Sequence, residues 1–357
     1  MAVIDADTHV DETEATWEWL AESELAFKPQ PDAPANPDPS RPPTRYWVID
    51  GHRQPRLHRD NQRTHTSVET RELLDPAARV RHMDELGTDV QVLYPTTFLV
   101  GITENADVEV AVKRSYNRWL ADRCQQTGGR LRWVCLPPLS DIPRAIEEIR
   151  FAKANGACGV MKKGDREGGH WVGEEYFFPI WEECQRLDLP VCFHIGAGTP
   201  DHTGSREFEH VRFYRQGLTP INAFSSLVRF GIPGRFPEVR WGFIEVGSSW
   251  IPYLVYNILR AQHRGRQGDG AYQYHDPADV VALNKFYITC QVDEDLPYIL
   301  NYTGEDHLLI GSDYTHADLA QEFHFPKLLQ DRADRGEIPQ SVVQKILWDN
   351  PRAFYGL

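Results

Sequence analysis

Beyond residue 75 the chain alternates short apolar runs with longer stretches in which apolar side chains return every three or four positions. The short runs are Val90–Tyr94, Leu131–Leu136, Gly159–Met161, Val191–His194, Trp241–Glu245, Phe286–Thr289 and Leu308–Ile310, and Val3–Ala6 is a run of the same kind earlier in the chain. Each is bounded by turn-forming residues and reads as a strand. Between them Ile142, Ile146, Ile149 and Ala152 recur at helical spacing, as do Ile251, Leu254, Val255, Ile258 and Leu259, so each helix has one face to bury. Alternating strand and helix gives successive βα units and a parallel sheet. Eight such runs predict an α/β fold, a (β/α)8 TIM-like barrel, with residues 1–357 as one domain. A doubly wound open sheet is the competing architecture, but Val10, Asp11 and Glu12 stand where its glycine-rich turn would follow the first strand.

The pattern is interrupted twice. Residues 11–75 form a long first connection containing Pro29, Pro31, Pro34, Pro37, Pro39, Pro42 and Pro43, which disfavour regular helix or strand. Leaving the first strand's end, this insertion is expected to be a lid over the barrel mouth or an arm in a homo-oligomer. A second irregular stretch, Ala197 to Gly217, leaves the fifth strand and should also border the mouth.

Charge and composition narrow the partners. A net charge of −14, without a Lys/Arg-dense stripe, argues against gripping nucleic acid or an anionic membrane. No basic segment precedes a long apolar run near residue 1, and no run approaches a membrane span, so the chain is read as cytoplasmic and acting on a small molecule. The six cysteines, Cys124, Cys135, Cys158, Cys184, Cys192 and Cys290, lack CxxC spacing and read as buried thiols.

The chemistry gathers at strand ends. Asp7 and His9 are two residues apart, a spacing that puts both side chains on one face of a strand, where a carboxylate and an imidazole can share a divalent metal ion. His194 ends an apolar strand that breaks into Gly196-Ala-Gly198. Glu245 ends another, ahead of a helix expected from about Ser248. Asp313 follows Leu308-Leu-Ile-Gly-Ser312 and precedes Tyr314-Thr-His316. Each has a bland reading: a core hydrogen bond for His194, a helix cap for Asp313. A buried carboxylate such as Glu245, however, needs a cation or several donors, and strand ends that repeatedly supply metal-compatible side chains point to a metal centre of Asp7, His9, His194, Glu245 and Asp313.

Asp7-x-His9, Phe193-His194-Ile-Gly, Gly311-Ser-Asp313-Tyr-x-His316 and Asn350-Pro-Arg-Ala-Phe-Tyr355-Gly-Leu together resemble the amidohydrolase family 2 group, which includes the aminocarboxymuconate semialdehyde decarboxylase-like enzymes. The resemblance spans most of the chain outside residues 11–75. It implies a metal-dependent barrel carrying out hydrolysis or non-oxidative decarboxylation. This sequence departs twice: the common His-x-His is Asp7-x-His9, and the histidine often ending strand six is Glu245. Both changes replace imidazole by carboxylate, which favours iron or manganese while leaving zinc open, and lets Glu245 bridge a second ion. One or two divalent ions are therefore expected.

On this basis the expected activity is hydrolysis of an ester, thioester or amide of a small carboxylic acid derivative by a metal-activated water, with Asp313 and His316 as catalytic groups. A metal-dependent decarboxylase is the alternative, and an inactive barrel serving as a binding subunit is a third reading. Lys162 and Lys163 at the end of strand four are read as solvent-facing or substrate-carboxylate-binding, with a carboxylated bridging lysine as the rival. Trp171, Tyr176, Phe177, Phe178, Phe208, Phe213 and Tyr214 line an apolar pocket or pack in the core, and Arg206, Arg212 and Arg215 are left unassigned.

Overall fold

The chain forms β1 (Ile4–His9), then β2 (Gln30–Asp32), β3 (Arg45–Ile49) and β4 (His52–Arg56) within the insertion, and then β5 (Val90–Tyr94), β6 (Leu131–Cys135), β7 (Ala157–Lys163), β8 (Val191–His194), β9 (Trp241–Ile244), β10 (Phe286–Thr289) and β11 (Leu308–Leu309). The computed structural model describes residues 1–33, 45–56, 61–196, 213–214, 217–268, 270–317 and 319–357. Pro34, Pro37, Pro39, Pro42 and Pro43 lie outside them, as do Arg206, Phe208, Arg212, Arg215 and most of the Ala197–Gly217 stretch.

The eight strands β1, β5, β6, β7, β8, β9, β10 and β11 pair in that order, all in parallel. The last meets the first through peptide hydrogen bonds: Ala6 N–H donates to Ile310 O, Asp313 N–H to Asp7 O and His9 N–H to Tyr314 O. This is the expected (β/α)8 barrel. The approach is close enough that a Cβ on Gly311 would lie 2.4 Å from Asp7 Cβ and 2.7 Å from its backbone nitrogen. Asp5 adds a side-chain clasp, accepting from Ser312 N–H at 2.8 Å and Ser312 Oγ at 2.6 Å.

The longer helices are α1 (Pro76–Leu86), α2 (Ala106–Gln125), α3 (Ile142–Ala154), α4 (Phe178–Leu187), α5 (Leu218–Arg229), α6 (Ile251–His263), α7 (Leu296–Thr303), α8 (Phe325–Asp334) and α9 (Asn350–Tyr355). Local chemistry starts several of them. Asp75, Asn105 and Asp141 cap α1, α2 and α3 by accepting backbone N–H groups, and prolines open α1 and α3. The closing Asn350–Leu357 motif then packs back on the barrel. Asn350 Nδ2 donates to Glu305 O and Leu308 O, and the Tyr355 hydroxyl donates to Ala6 O at 2.7 Å.

The insertion departs from expectation, because its prolines do not prevent a sheet. β2, β3 and β4 form an antiparallel sheet with β3 central, so Pro31 and Pro55 sit on edge strands, where the missing N–H is tolerated. Trp47 of β3 is fully buried against Trp17 in a T-shaped contact at 5.6 Å, and Trp17 meets Phe98, which follows β5, at 6.2 Å. Gln54 of β4 donates to Gly101 O at 3.3 Å. The described part of the insertion is therefore folded against the loop after β5.

Several boundaries also move. β1 runs on through His9 with a register shift between Asp5 and Thr8, β7 extends to Lys163, and β11 has only Leu308 and Leu309 in regular pairing. α6 begins at Ile251 rather than near Ser248, because the Ser248 and Ser249 N–H groups donate to the Glu294 carboxylate instead of opening a helix. No helix directly follows Asp313, which removes its helix-cap reading. All six cysteines are buried and free, as expected. Among the described residues no helix is long and apolar enough to cross a membrane.

Candidate metal centre

Four barrel segments converge at the C-terminal ends of the strands. β1 delivers Asp7 and His9, β8 delivers His194, the residue after β9 is Glu245, and the closing segment after β11 carries Asp313 and His316. Their donor atoms form two overlapping groups, Asp7, His9, His194 and Glu245, and His9, Glu245, Asp313 and His316, with all donors in each within 4.8 Å of one another. Five expected ligands and the expected catalytic His316 thus share one place.

The spacing is that of a cage. His9 Nε2 lies 3.5 Å from Asp7 Oδ1, 3.6 Å from Glu245 Oε2 and 3.4 Å from Asp313 Oδ1. His194 Nε2 lies 3.2 Å from Asp7 Oδ1 and 3.5 Å from Glu245 Oε2. Ligand bonds of about 2.1 Å in a tetrahedron leave its corners about 3.4 Å apart, so these separations suit a cation at the centre, with His194 Nε2 and Asp7 Oδ1 hydrogen-bonded to each other in its absence. Both imidazoles are oriented for it. His9 Nδ1 donates to Pro95 O at 2.8 Å and His194 Nδ1 to Ile195 O at 2.8 Å, which leaves each Nε2 turned inward. His9 Nε2 and Glu245 Oε2 are buried and have no hydrogen-bond partner among the described residues. The residues present therefore fit a divalent ion.

The electrostatics agree. Burial alone would drive His9 neutral, but the carboxylates of Asp7 and Glu245 outweigh it and raise its pKa to about 9. Burial would likewise raise Asp7, yet the His194 and His9 imidazoles hold it well below the usual carboxylate range. Glu245 is pushed up by burial, with Asp7 adding to the rise and the two imidazoles offsetting it in part. Without a cation, protons occupy the place of positive charge.

His316 sits at the edge of the cage. Its Nδ1 is 2.7 Å from Asp313 Oδ1, its Nε2 is 3.2 Å from Thr96 Oγ1, and its ring stacks on His9 with centroids 3.8 Å apart. Glu12, buried just beyond β1, accepts from Thr96 N–H, Thr97 N–H and Thr97 Oγ1 and so fixes the loop that carries Thr96. Behind the cage, buried Arg79 donates to His9 O at 3.1 Å and lies over the Tyr314 ring at 3.5 Å. Neither Thr96 nor Arg79 carries a sequence signal that singles it out: one is a threonine in a loop, the other an arginine on a helix. Only tertiary proximity marks them.

Other expectations fall away. Lys162 turns from the barrel interior: its Nζ lies 4.6 Å over the Phe177 ring and donates to Lys163 O and Asp165 O. Both ammonium groups face Glu167, Lys162 at 3.5 Å and Lys163 at 3.8 Å, which ties them to the loop after β7 and does not support a carboxylated lysine bridging the cage. Phe177 and Phe178 are taken up in helix packing, against Trp181 and Phe236, rather than in a pocket. Phe213 and Tyr214 are largely exposed.

The family follows from this architecture. Residues 4–357 match the amidohydrolase family, and the chain belongs to it. It is 21% identical over 248 residues to the 2-amino-3-carboxymuconate-6-semialdehyde decarboxylase of Dictyostelium discoideum, covering 67% of this chain and 66% of that protein. Among solved structures, an amidohydrolase from Mycobacterium avium subsp. paratuberculosis superposes with a TM-score of 0.78 at 21% identity, covering 99% of both chains. A dihydroxybenzoic acid decarboxylase from Polaromonas, with manganese and 2-nitroresorcinol bound, superposes with a TM-score of 0.66 at 18% identity, covering 100% of this chain and 97% of that one.

These relatives correct the expected activity. Those whose reaction is named are decarboxylases, not acyl hydrolases, so the hydrolase and thioesterase readings are withdrawn. The physical reason they misled is that a carboxylate-rich metal cage is equally suited to activating water and to holding a substrate carboxylate. Membership of an enzyme family likewise removes the ground for an inactive binding barrel.

Proposed function

We propose that this chain is a metal-dependent, non-oxidative decarboxylase of a small hydroxylated aromatic or unsaturated carboxylic acid. The observation that carries the reading is the cage of Asp7, His9, His194, Glu245 and Asp313, with inward-turned Nε2 atoms and an adjoining Asp313–His316 pair. These five residues would hold the cation, with manganese or iron favoured by the three carboxylates. That cation would supply Lewis-acid charge to the substrate's carboxylate and neighbouring hydroxyl.

The chain's own groups account for the rest. In decarboxylation the carbon–carboxylate bond breaks, its electron pair stays on the substrate carbon, carbon dioxide leaves, and a proton must reach that carbon. His316, held between Asp313 Oδ1 and Thr96 Oγ1, is placed to store and deliver the proton. Burial of Asp313 and His316 limits exchange of that proton with bulk water. The described insertion, packed on the loop after β5, supports a covering role at the mouth over a detached arm.

The test is turnover of hydroxylated aromatic acids by manganese-loaded protein in deuterium oxide, following carbon dioxide and deuterium at the vacated carbon. Carbon dioxide with one deuterium incorporated is the expected result, and Asp313→Asn should depress kcat far more than KM. Acyl-bond cleavage without carbon dioxide, or no carbon dioxide from any acid, would sink the reading.

A further inference from the structure

Glu245 reaches the cage from a turn rather than from a strand. β9 is held to β8 as far as Ile244, whose carbonyl accepts from Ile195 N–H at 3.2 Å. Beyond it the backbone is left-handed at Glu245, with φ of 59°, and again at Gly247, with φ of 64°. A residue with a Cβ adopts that conformation where its surroundings hold it there. The bond to β8 supplies one side of that hold.

A single side chain gathers the other side. Glu294, in the loop between β10 and α7, accepts from Ser248 N–H at 2.8 Å, from Ser249 N–H at 2.7 Å and from both serine hydroxyls at 2.6 Å. It also accepts from Gln291 N–H of its own loop at 2.8 Å. A carboxylate offers about four lone-pair sites, so these donors saturate it. A Cβ on Gly247 would lie 3.1 Å from Glu294 Oε1, which seats the carboxylate against the second left-handed residue. The loop that carries Glu294 is itself anchored, because Arg332 of α8 donates to Val292 O at 2.6 Å and to Glu294 O at 2.8 Å. Release of Ser248 and Ser249 would let the turn relax toward the helix that the sequence predicts from about Ser248, and Glu245 would swing with it.

We propose that Glu294 is a positioning residue for Glu245: by pinning Ser248 and Ser249 it locks the turn that aims the Glu245 carboxylate into the cage. The inference rests on Glu245 being a metal ligand, as in the function proposed above. The rival role for Glu294 is to anchor the start of α6, with no bearing on the metal centre beyond general stability. Coupling separates the two. A positioning residue acts through Glu245 and loses its effect on the metal once Glu245 can no longer ligate, whereas a purely structural residue keeps its effect in either background.

The experiment is a double-mutant cycle on manganese affinity, measured by calorimetry in the parent, Glu294→Gln, Glu245→Gln and the double variant, with circular dichroism to confirm folding. Glu294→Gln keeps the size of the side chain but turns an amide NH2 toward the serine donors, and should weaken manganese binding about tenfold. The double variant should bind no more weakly than Glu245→Gln alone. If Glu294→Gln does not fold, Glu294→Asp takes its place in the same cycle, with the charge kept and the reach shortened by one methylene. Unchanged affinity in a folded Glu294 variant, or losses that multiply in the double variant, would overturn the assignment and leave Glu245 standing as a ligand. If Glu245→Gln binds manganese as the parent does, the ligand role of Glu245 is what fails, and the inference falls with it.

Discussion

Glu245 and Asp313 hold their backbones at φ of 59° and 51°, in the left-handed region that glycine or asparagine usually occupies. Such conformations cost on the order of 1 kcal/mol each and persist where surroundings over-determine them. Here they turn two carboxylates off their strands into the cage, so strain and charge crowding are concentrated on the same residues. Glu245→Gln removes a buried charge that faces Asp7. It should therefore raise the melting temperature of the metal-free protein while weakening manganese binding by at least about tenfold. A variant that binds manganese as the parent does, in a calorimetric titration, would show that Glu245 is no ligand. His9 makes a related prediction. Its pKa is raised to about 9, so it is protonated near neutrality and must lose that proton before Nε2 can ligate. Manganese uptake near pH 7 should release protons into weak buffer, and apparent affinity should climb as pH rises toward 9.

Among elements, the junction of β11 with β1 depends on Gly311, where a Cβ would collide with Asp7. Gly311→Ala should cost about 1–3 kcal/mol in urea unfolding and lower metal occupancy, because the residue it displaces is itself a proposed ligand. The insertion is just as integral to packing. Trp47→Ala should cost about 3–5 kcal/mol, so removing residues 28–64 would damage stability as well as catalysis. On the outer layer, Glu183 of α4 is held down to about 2 by Arg186 on its own helix and Arg150 on α3. A depressed carboxylate stabilises the fold above its ordinary value of 4.5 and loses that contribution as pH falls toward 2. The gap in stability between the parent and Glu183→Gln should thus shrink from pH 6 to pH 3. It should be small throughout, since Arg150 and Arg186 are more than half exposed. These elements also show what the sequence could reveal. Apolar runs located every barrel strand, because burial on both faces leaves an unbroken hydrophobic signature, and the polar residues at their ends located the cage. The left-handed turn at Glu245, the two-residue pairing of β11 and the proline-bearing edge strands were hidden, since each is set by tertiary pairing rather than local preference. The places of Thr96 and Arg79 beside the cage were hidden for the same reason: a threonine or arginine acquires meaning only from the imidazole or carbonyl that folding puts beside it.

At the scale of the molecule, the proposed ligands tie β1, β8, β9 and the segment after β11 to one point. A cation there should therefore act as a staple. Manganese at a hundred times its dissociation constant adds about 2.7 kcal/mol to stability, so a chelator should lower the melting temperature, and indifference to chelation would argue against a bound ion. The closure of the barrel has a further consequence, in time rather than in space. Ser312 and Asp5 are 307 positions apart, and Tyr355 and Ala6 are 349 apart, yet each pair is directly hydrogen-bonded. Contacts so distant along the chain form late, after nearer βα units have docked. In a refolding experiment, tryptophan burial, reported by fluorescence, should precede manganese uptake, with uptake following the slowest phase. Early stoichiometric uptake would refute this order. If it holds, metal loading becomes a check on completed topology: a chain whose final strand has slipped can bury its tryptophans and still never acquire its ion.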